Sequence, residues 1–236
     1  MKTNVTIIGF GTMGKAIAKA LARDSSIKIF TVDVDKKDVS GIKKSDFIIL
    51  SVKPQDAENA IKQLKNYGLN KNTILISIMA GVPMKKISLL SGHKKIIRMM
   101  PNLALSIAGW ISAGLSPIEK KKAKKFLDEI TENFEVKKED DINKITAISG
   151  SGPAYFFLLA KELTNTARKL GLKEAEKLVQ KTFQAAAHIE GDYAELVKKV
   201  ASKGGTTEAA LKVLKFDKMM EKAVLAAYKR AKELSS

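Results

Sequence analysis

The stretch Val5-Thr6-Ile7-Ile8-Gly9-Phe10-Gly11-Thr12-Met13-Gly14 decides the fold. An apolar, strand-forming run ends in three spaced glycines. Lys15–Arg23 then sets Ala16, Ile17, Ala20 and Leu21 at helical spacing. Gly9 permits a tight turn after the strand, Gly11 removes the side chain that would block a diphosphate, and Gly14 lets the helix pack close to the sheet. Phosphates would sit on the free N–H groups of the helix start. Ile27–Val32 reads as the second strand and Asp33 ends it, about 20 residues on, where a carboxylate meets ribose hydroxyls. A glycine turn without a ligand is the alternative. Strand, loop, helix, strand and acid in this order favour a dinucleotide.

A second glycine loop lies far along the chain, Ser202-Lys203-Gly204-Gly205-Thr206-Thr207-Glu208. Two glycines free the backbone, and two threonines bring hydroxyls and N–H groups to a helix start, a nest for a carboxylate. The alternative is a helix capped by threonine with no ligand. Two glycines and two threonines exceed what capping requires.

Composition narrows the chemistry. The absence of Cys excludes disulfides, thiolate nucleophiles and Cys-bound metals. With only His93 and His188, neither a histidine metal cluster nor a Ser-His triad is expected, so no metal is assigned. The apolar start is short, runs into the glycine loop and lacks a cleavage pattern, so it reads as no signal peptide. The uncharged run Ile145–Ala160 contains Gly150, Gly152 and Pro153 and falls short of the roughly 20 apolar residues of a membrane span. The expectation is a cytoplasmic protein with no membrane partner. The net charge of +17 raises nucleic acid as a partner. Lys dominates over Arg, however, and the densest cluster, Lys120–Lys125, shares a helix with inward Phe126 and Leu127. It reads as a solvated face, and no nucleic-acid partner is expected. The field would still steer an anionic cofactor and substrate inward.

Residues 1–138 alternate strand and helix. Strands are expected at Val5–Ile8, Ile27–Val32, Phe47–Val52, Ile74–Ile78, Lys95–Met99, Gly109–Leu115 and Phe134–Val136. Helices are expected at Thr12–Arg23, Gln55–Asn66, Met84–Leu90 and Pro117–Glu132. Such alternation means an α/β, doubly wound parallel sheet. Strand signals vanish after Asp140, so residues 139–236 form a second, all-helical domain. Its helix Pro153–Leu170 is apolar on more than one face and needs burial all round, which a second copy of the chain would supply.

Ser51-Val52-Lys53-Pro54-Gln55 and Met79-Ala80-Gly81 each follow a buried strand. They make either ordinary strand-end packing or a wall for a nicotinamide, and their place beside the first loop favours the ring. Asn102, after Met100-Pro101, either orients a polar ligand group or holds its own turn. The small residues of Ser149-Gly150-Ser151-Gly152-Pro153 admit cofactor, substrate or a neighbouring helix.

Together these blocks resemble the pyrroline-5-carboxylate reductase family over nearly the whole chain. Ser149–Tyr155 and Gly204–Leu211 are its most specific signatures. The resemblance implies a Rossmann-like domain followed by a helical dimerisation domain, assembled as a homodimer or a larger ring of dimers. It implies hydride transfer from NADH or NADPH to the imine carbon of the small molecule 1-pyrroline-5-carboxylate, giving L-proline. By position Gly9, Phe10, Gly11, Thr12, Met13, Gly14, Asp33, Val52, Lys53, Pro54, Ala80, Gly81 and Asn102 would hold the cofactor. Ser202, Gly205, Thr206 and Thr207 would hold the substrate carboxylate, with Thr207 reaching toward the nicotinamide. Glu139 and Glu190 would bind substrate across a subunit interface, or stand as surface carboxylates. A protonated imine is already electrophilic, so catalysis is mainly positioning and charge complementarity. Thr146 or a water would supply any further proton.

Three departures from the family stand out. Lys203 replaces a proline, and its ammonium either holds the carboxylate or points to solvent. Leu103-Ala104 replaces a polar-proline pair. The stretch Asp33–Asp46 is too short for the usual helix, and Asp33 itself repels the 2′-phosphate of NADP unless Lys36 and Lys37 offset it. NADH is therefore expected to serve at least as well as NADPH. A 3-hydroxyacid dehydrogenase, which shares the first loop, is the competing enzyme. Lys161 and Asn165 have its catalytic spacing, but Lys161 lies nine residues beyond Gly152, too far along the helix, and that group lacks the second glycine loop. A non-enzymatic nucleotide- or nucleic-acid-binding protein would leave that loop without a purpose.

Overall fold

The computed structural model describes residues 2–33 and 39–235. They form two compact units, Met1–Ser151 with Ala226–Ser236, and Gly152–Leu225. The first unit carries strands β1 (Thr3–Ile8), β2 (Ile27–Val32), β3 (Phe47–Leu50), β4 (Ile74–Ser77), β5 (Ile96–Pro101), β6 (Ile107–Ala113) and β7 (Glu132–Glu135) in one sheet, ordered β2-β1-β3-β4-β5-β6-β7. Every residue of β3, β4 and β5 is buried, as befits apolar strands covered on both faces. Alternation divides their side chains. Phe47 and Ile49 join Val5, Ile7 and Ile76 in one core, while Ile48 and Leu50 join Leu75 and Ile96 in the other. Helices α1 (Thr12–Leu21) and α4 (Pro117–Asp128) cover the first face through Ile17, Leu21, Phe126 and Leu127. Helices α2 (Ala57–Tyr67) and α3 (Met84–Ser91) cover the second through Ile61, Leu64 and Ile87.

β1 pairs in parallel with β2 on one side and β3 on the other. The winding reverses between β1 and β3, and ligands of such sheets bind beyond the carboxyl ends of the strands at that switch point. The expectation of a wholly parallel sheet needs one correction. β5 and β6 are antiparallel, with Met99 opposite Trp110, because the few residues between them make a hairpin, and a parallel crossover needs a dozen or more. β6 and β7 are again parallel, and α4 lies between them in the chain. In the link from β2 to β3, residues 39–46 carry a single 3-10 turn, Ile42–Lys44 with Ile42 buried, in keeping with the short span.

The second unit contains α6 (Gly152–Lys169), α7 (Ala175–His188), α8 (Tyr193–Val200), α9 (Thr206–Val213) and the start of α10 (Phe216–Leu234). Its buried apolar residues are small, Ala167, Ala175 and Val179, while Phe156 and Phe157 are each 62% exposed. An apolar face of this kind marks an interaction surface. Helix α5 (Glu139–Ile145) belongs to the first unit: Ile142 is fully buried, and the Ile145 side chain fills the place a Cβ on Gly109 would take. Among the described residues no helix is long and apolar enough to cross a membrane.

Helix α4 starts on a reciprocal capping box. The Glu119 N–H donates to the Ser116 hydroxyl at 3.3 Å, and the Ser116 N–H donates to Glu119 Oε2 at 2.9 Å, with Pro117 in the first turn. Glu119 also pairs with Lys95. The Lys95 bond first, then those from Ser116, hold the Glu119 carboxyl down to about 2, below its ordinary 4.5. A lowered carboxylate stabilises the fold above its unfolded value and loses that contribution as pH falls toward the folded one. Glu119→Gln should therefore melt below the parent at neutral pH, and the two thermal midpoints should converge between pH 4.5 and about 2. A difference independent of pH would contradict the assignment.

Candidate active site

The glycine loop closes onto the end of β3. Gly9 has φ +90°, and a Cβ there would lie 2.7 Å from the Ser51 and Val52 backbone. A Cβ on Gly14 would lie 2.2 Å from the Gly9 carbonyl oxygen, so this glycine serves the loop itself as well as the helix packing read from the sequence. A Cβ on Gly11 would meet nothing within 4 Å. The loop thus presents open space over Gly11, at the N-cap of α1, whose first turn has neither a side-chain cap nor an acidic residue. Thr12 is exposed and Met13 half-buried on that first turn. Positive helix ends of this kind receive phosphate.

Asp33 fastens the loop from β2. Its Oδ2 accepts the Phe10 N–H at 3.1 Å, while the Gly9 N–H donates to the Val32 carbonyl at 2.9 Å. The Phe10 ring packs on the first core. The sequence reading reserved Asp33 for a ribose and missed this second task, although an acid closing the second strand must lie near the loop. Lys36 and Lys37 lie outside the described residues.

Across the crevice, the Ser51 N–H donates to the Ile8 carbonyl at 2.8 Å. The Ser51 hydroxyl is enclosed and has no hydrogen-bond partner among the described residues, an orphaned polar atom directly beside Gly14. Val52 follows, Lys53 is the N-cap of a 3-10 turn, and Pro54 starts that turn. After β4, Ala80 is half-buried. Gly81, at φ +71°, has its Cβ position occupied by Leu234. Its bareness therefore makes room for the end of α10.

Asn102 holds its own turn. Its Oδ1 accepts the Ser106 N–H at 3.0 Å and its Nδ2 donates to the Ser106 hydroxyl at 2.7 Å, closing the β5–β6 hairpin. Glu139 is 30% exposed and is bonded within the protein. Its Oε1 accepts from Arg98 Nη1 at 3.1 Å and from the Met84 N–H at 2.8 Å. Arg98 is 1% exposed and also donates through Nη2 to Asn143 Oδ1 at 2.9 Å. Burial pushes the guanidinium pKa down, and Glu139 beside it opposes that shift. Nothing in the strand pattern around Arg98 betrayed this buried pair, because the partners lie on an element 41 residues away. The Tyr228 hydroxyl, donating to Asp140 at 2.6 Å, is the main reason Asp140 lies below the usual carboxylate range.

Thr146 opens a π-helical turn, Thr146–Gly150. Such turns recur at functional sites. Its hydroxyl donates to the Ile142 carbonyl at 2.7 Å, so its proton is engaged. Gly150 approaches Met100 without crowding it, its Cβ position 3.6 Å from the sulfur.

In the second unit, Gly204 has φ +74°, and a Cβ on Gly205 would lie 2.6 Å from the Ser202 hydroxyl oxygen. Gly205 is the N-cap of α9, and no side chain caps it, so Thr206 and Thr207 are not serving as caps. The sequence reading missed Glu208, whose Oε2 accepts the Gly204 N–H at 2.6 Å and whose Oε1 pairs with Lys212 at 3.2 Å. Lys203 and Glu190 are exposed. Lys161, the competing catalytic lysine, is 67% exposed and pairs with Glu162 at 3.5 Å.

The glycines separate by experiment. Gly14→Ala should lower the unfolding free energy by the roughly 1–3 kcal/mol that overpacking costs. Gly11→Ala, facing open space, should melt with the parent. Equal melting of both variants in a thermal scan would contradict the loop geometry.

Comparison with known proteins fits this arrangement. The family described as pyrroline-5-carboxylate reductase dimerisation matches residues 139–234, and that described as NADP oxidoreductase, coenzyme F420-dependent, matches residues 28–81. The pyrroline-5-carboxylate reductase of Pseudomonas aeruginosa is 34% identical over 221 residues, covering 87% of this chain and 81% of its own. The crystal structure of Plasmodium falciparum pyrroline carboxylate reductase with NADP bound superposes with a TM-score of 0.88 at 27% identity, over 99% of this chain and 98% of that one. The pyrroline-5-carboxylate reductase of Coxiella burnetii superposes with a TM-score of 0.83 at 30% identity, over all of both chains. With its Rossmann-like sheet and the helical region that follows, the chain belongs to the pyrroline-5-carboxylate reductase family of oxidoreductases.

Proposed function

We propose that this protein reduces 1-pyrroline-5-carboxylate to L-proline with a nicotinamide dinucleotide. The observation that carries the reading is the open space over Gly11 at the uncapped start of α1, with the orphaned Ser51 hydroxyl beside it. When bound, the dinucleotide supplies a hydride for the carbon of the protonated C=N bond; the nitrogen keeps its proton and becomes a neutral ring amine. The N–H groups from Gly11 to Gly14 hold the diphosphate, and Phe10 keeps the loop on the core. Val52, Lys53, Pro54 and Ala80 line the approach to the ring. Ser202, Gly205, Thr206 and Thr207 hold the substrate carboxylate, as a glycine-threonine nest does. Because Thr146 spends its proton on Ile142, we assign the imine's proton to solvent. Asn102, Gly81 and Glu139 each also support a neighbouring turn or helix start.

Residues 1–138 then serve the cofactor and 139–236 the substrate and dimerisation. The exposed aromatic face of α6 meets a second copy in a homodimer, and rings of dimers would extend it. The lack of Cys fits a reducing cytoplasm. Asp33, held against the loop by Phe10, keeps a carboxylate at the ribose end and favours NADH.

Oxidation of NADH and of NADPH by 1-pyrroline-5-carboxylate tests this. The kcat/KM with NADH should equal or exceed that with NADPH, and Thr207→Ala should raise the imine KM about tenfold or more, the worth of a hydrogen bond to a charged group. Failure of the folded protein to turn over with either cofactor would overturn the assignment. A large NADPH preference would overturn the role of Asp33 alone.

A further inference from the structure

The loop after β4 ends in residues 81–84, which are gripped at both ends within the first unit. At one end Leu234 occupies the space beside Gly81: a Cβ there would lie 2.2 Å from the Leu234 Cβ and 2.9 Å from its carbonyl carbon. At the other end the Met84 N–H is held by Glu139. These two grips are connected. Glu139 binds Arg98 and Arg98 binds Asn143; Ser235, next in sequence to Leu234, shares its hydroxyl proton between the Ala231 carbonyl at 2.9 Å and Asn143 Oδ1 at 3.3 Å. The contacts form a closed circuit: loop, α5, the end of α10, and loop again. Asp140 strengthens it, accepting from Tyr228 at 2.6 Å and from Asn143 Nδ2 at 3.3 Å.

The materials of this circuit are poorly chosen for stability alone. An ion pair with a buried member seldom outperforms apolar residues of the same volume; Arg98 is buried while Glu139 is 30% exposed, and among the described residues the Arg98 Nε has no partner. What directed bonds supply is register. An apolar helix end could slide along α5, whereas the Tyr228 hydroxyl is fixed on Asp140 at 2.6 Å, with the Ser235 hydroxyl within reach of Asn143.

We propose that the last two turns of α10, through Tyr228, Leu234 and Ser235, are a brace that positions the β4 loop and so sets affinity for the nicotinamide half of the cofactor. These are positioning residues, and the inference rests on the cofactor reading above. A brace at this loop acts on the ring end and spares the diphosphate end, which the β1 loop holds. A general loosening of the fold would weaken both.

The test compares NADH with ADP-ribose, which carries the diphosphate and lacks the nicotinamide. Titration calorimetry on the full chain gives the dissociation constant of each for wild type, a Tyr228→Phe/Ser235→Ala double variant and Leu234→Ala, below the melting point of all three. NADH binding should weaken roughly tenfold in the double variant, the worth of one hydrogen bond to a charged group, with ADP-ribose binding unchanged. Leu234→Ala, which leaves both hydroxyl bonds in place, should behave the same way. Equal weakening of both ligands, or a lower melting point with neither affinity changed, would overturn the brace. Wild type that binds neither NADH nor NADPH would instead overturn the cofactor reading, and the brace with it.

Discussion

The structure depends on one close approach of backbone to backbone. At the carboxyl ends of β1 and β3, Gly9 lies so near Ser51 and Val52 that a single added carbon would collide with main chain. Main chain cannot rotate aside as a side chain does, so this contact sets where the first loop stands. Once the loop is there, Gly14 must be bare for the helix to begin, and α1 then points its unpaired N–H groups into the crevice. Asp33 completes the fixture by taking the Phe10 N–H. The reversal of winding between β1 and β3 leaves room at that place.

A second constraint governs the other side of the sheet. Arg98 is a charge with almost no exposure, and a buried charge must be paired. Its partners are on α5, and α5 in turn receives the hydroxyls at the end of α10. A strand residue is thereby linked to the end of α10 within the first unit. The family resemblance in residues 139–234 and the compact units describe different things: one a shared sequence, the other where contacts concentrate.

The fold was largely legible in the sequence. β2 and the starts of α1, α3 and α4 coincide with their expected positions, because apolar period and glycine or proline punctuation are local signals. The antiparallel β6 was not legible as such: a strand pattern is the same in either direction, and only the short hairpin closed by Asn102 and Ser106 decides it. The tight turn at Gly9 was legible from its spacing after the strand. The internal bonds of Glu139 and Asn102 and the Leu234 contact of Gly81 were not, since they need the folded chain.

The sequence by itself determined the order of the elements, the place of both glycine loops and the lack of thiol and histidine chemistry, since these depend on residues near one another or on composition alone. Tertiary structure alone decided which polar groups were left for a ligand. Among the described residues the Ser51 hydroxyl has no partner, whereas Thr146, Glu139 and Asn102 are bonded within the protein. The reason is that a hydrogen bond is satisfied by whichever partner stands within about 3 Å, and for Glu139 and Arg98 that neighbour comes from another element of the chain.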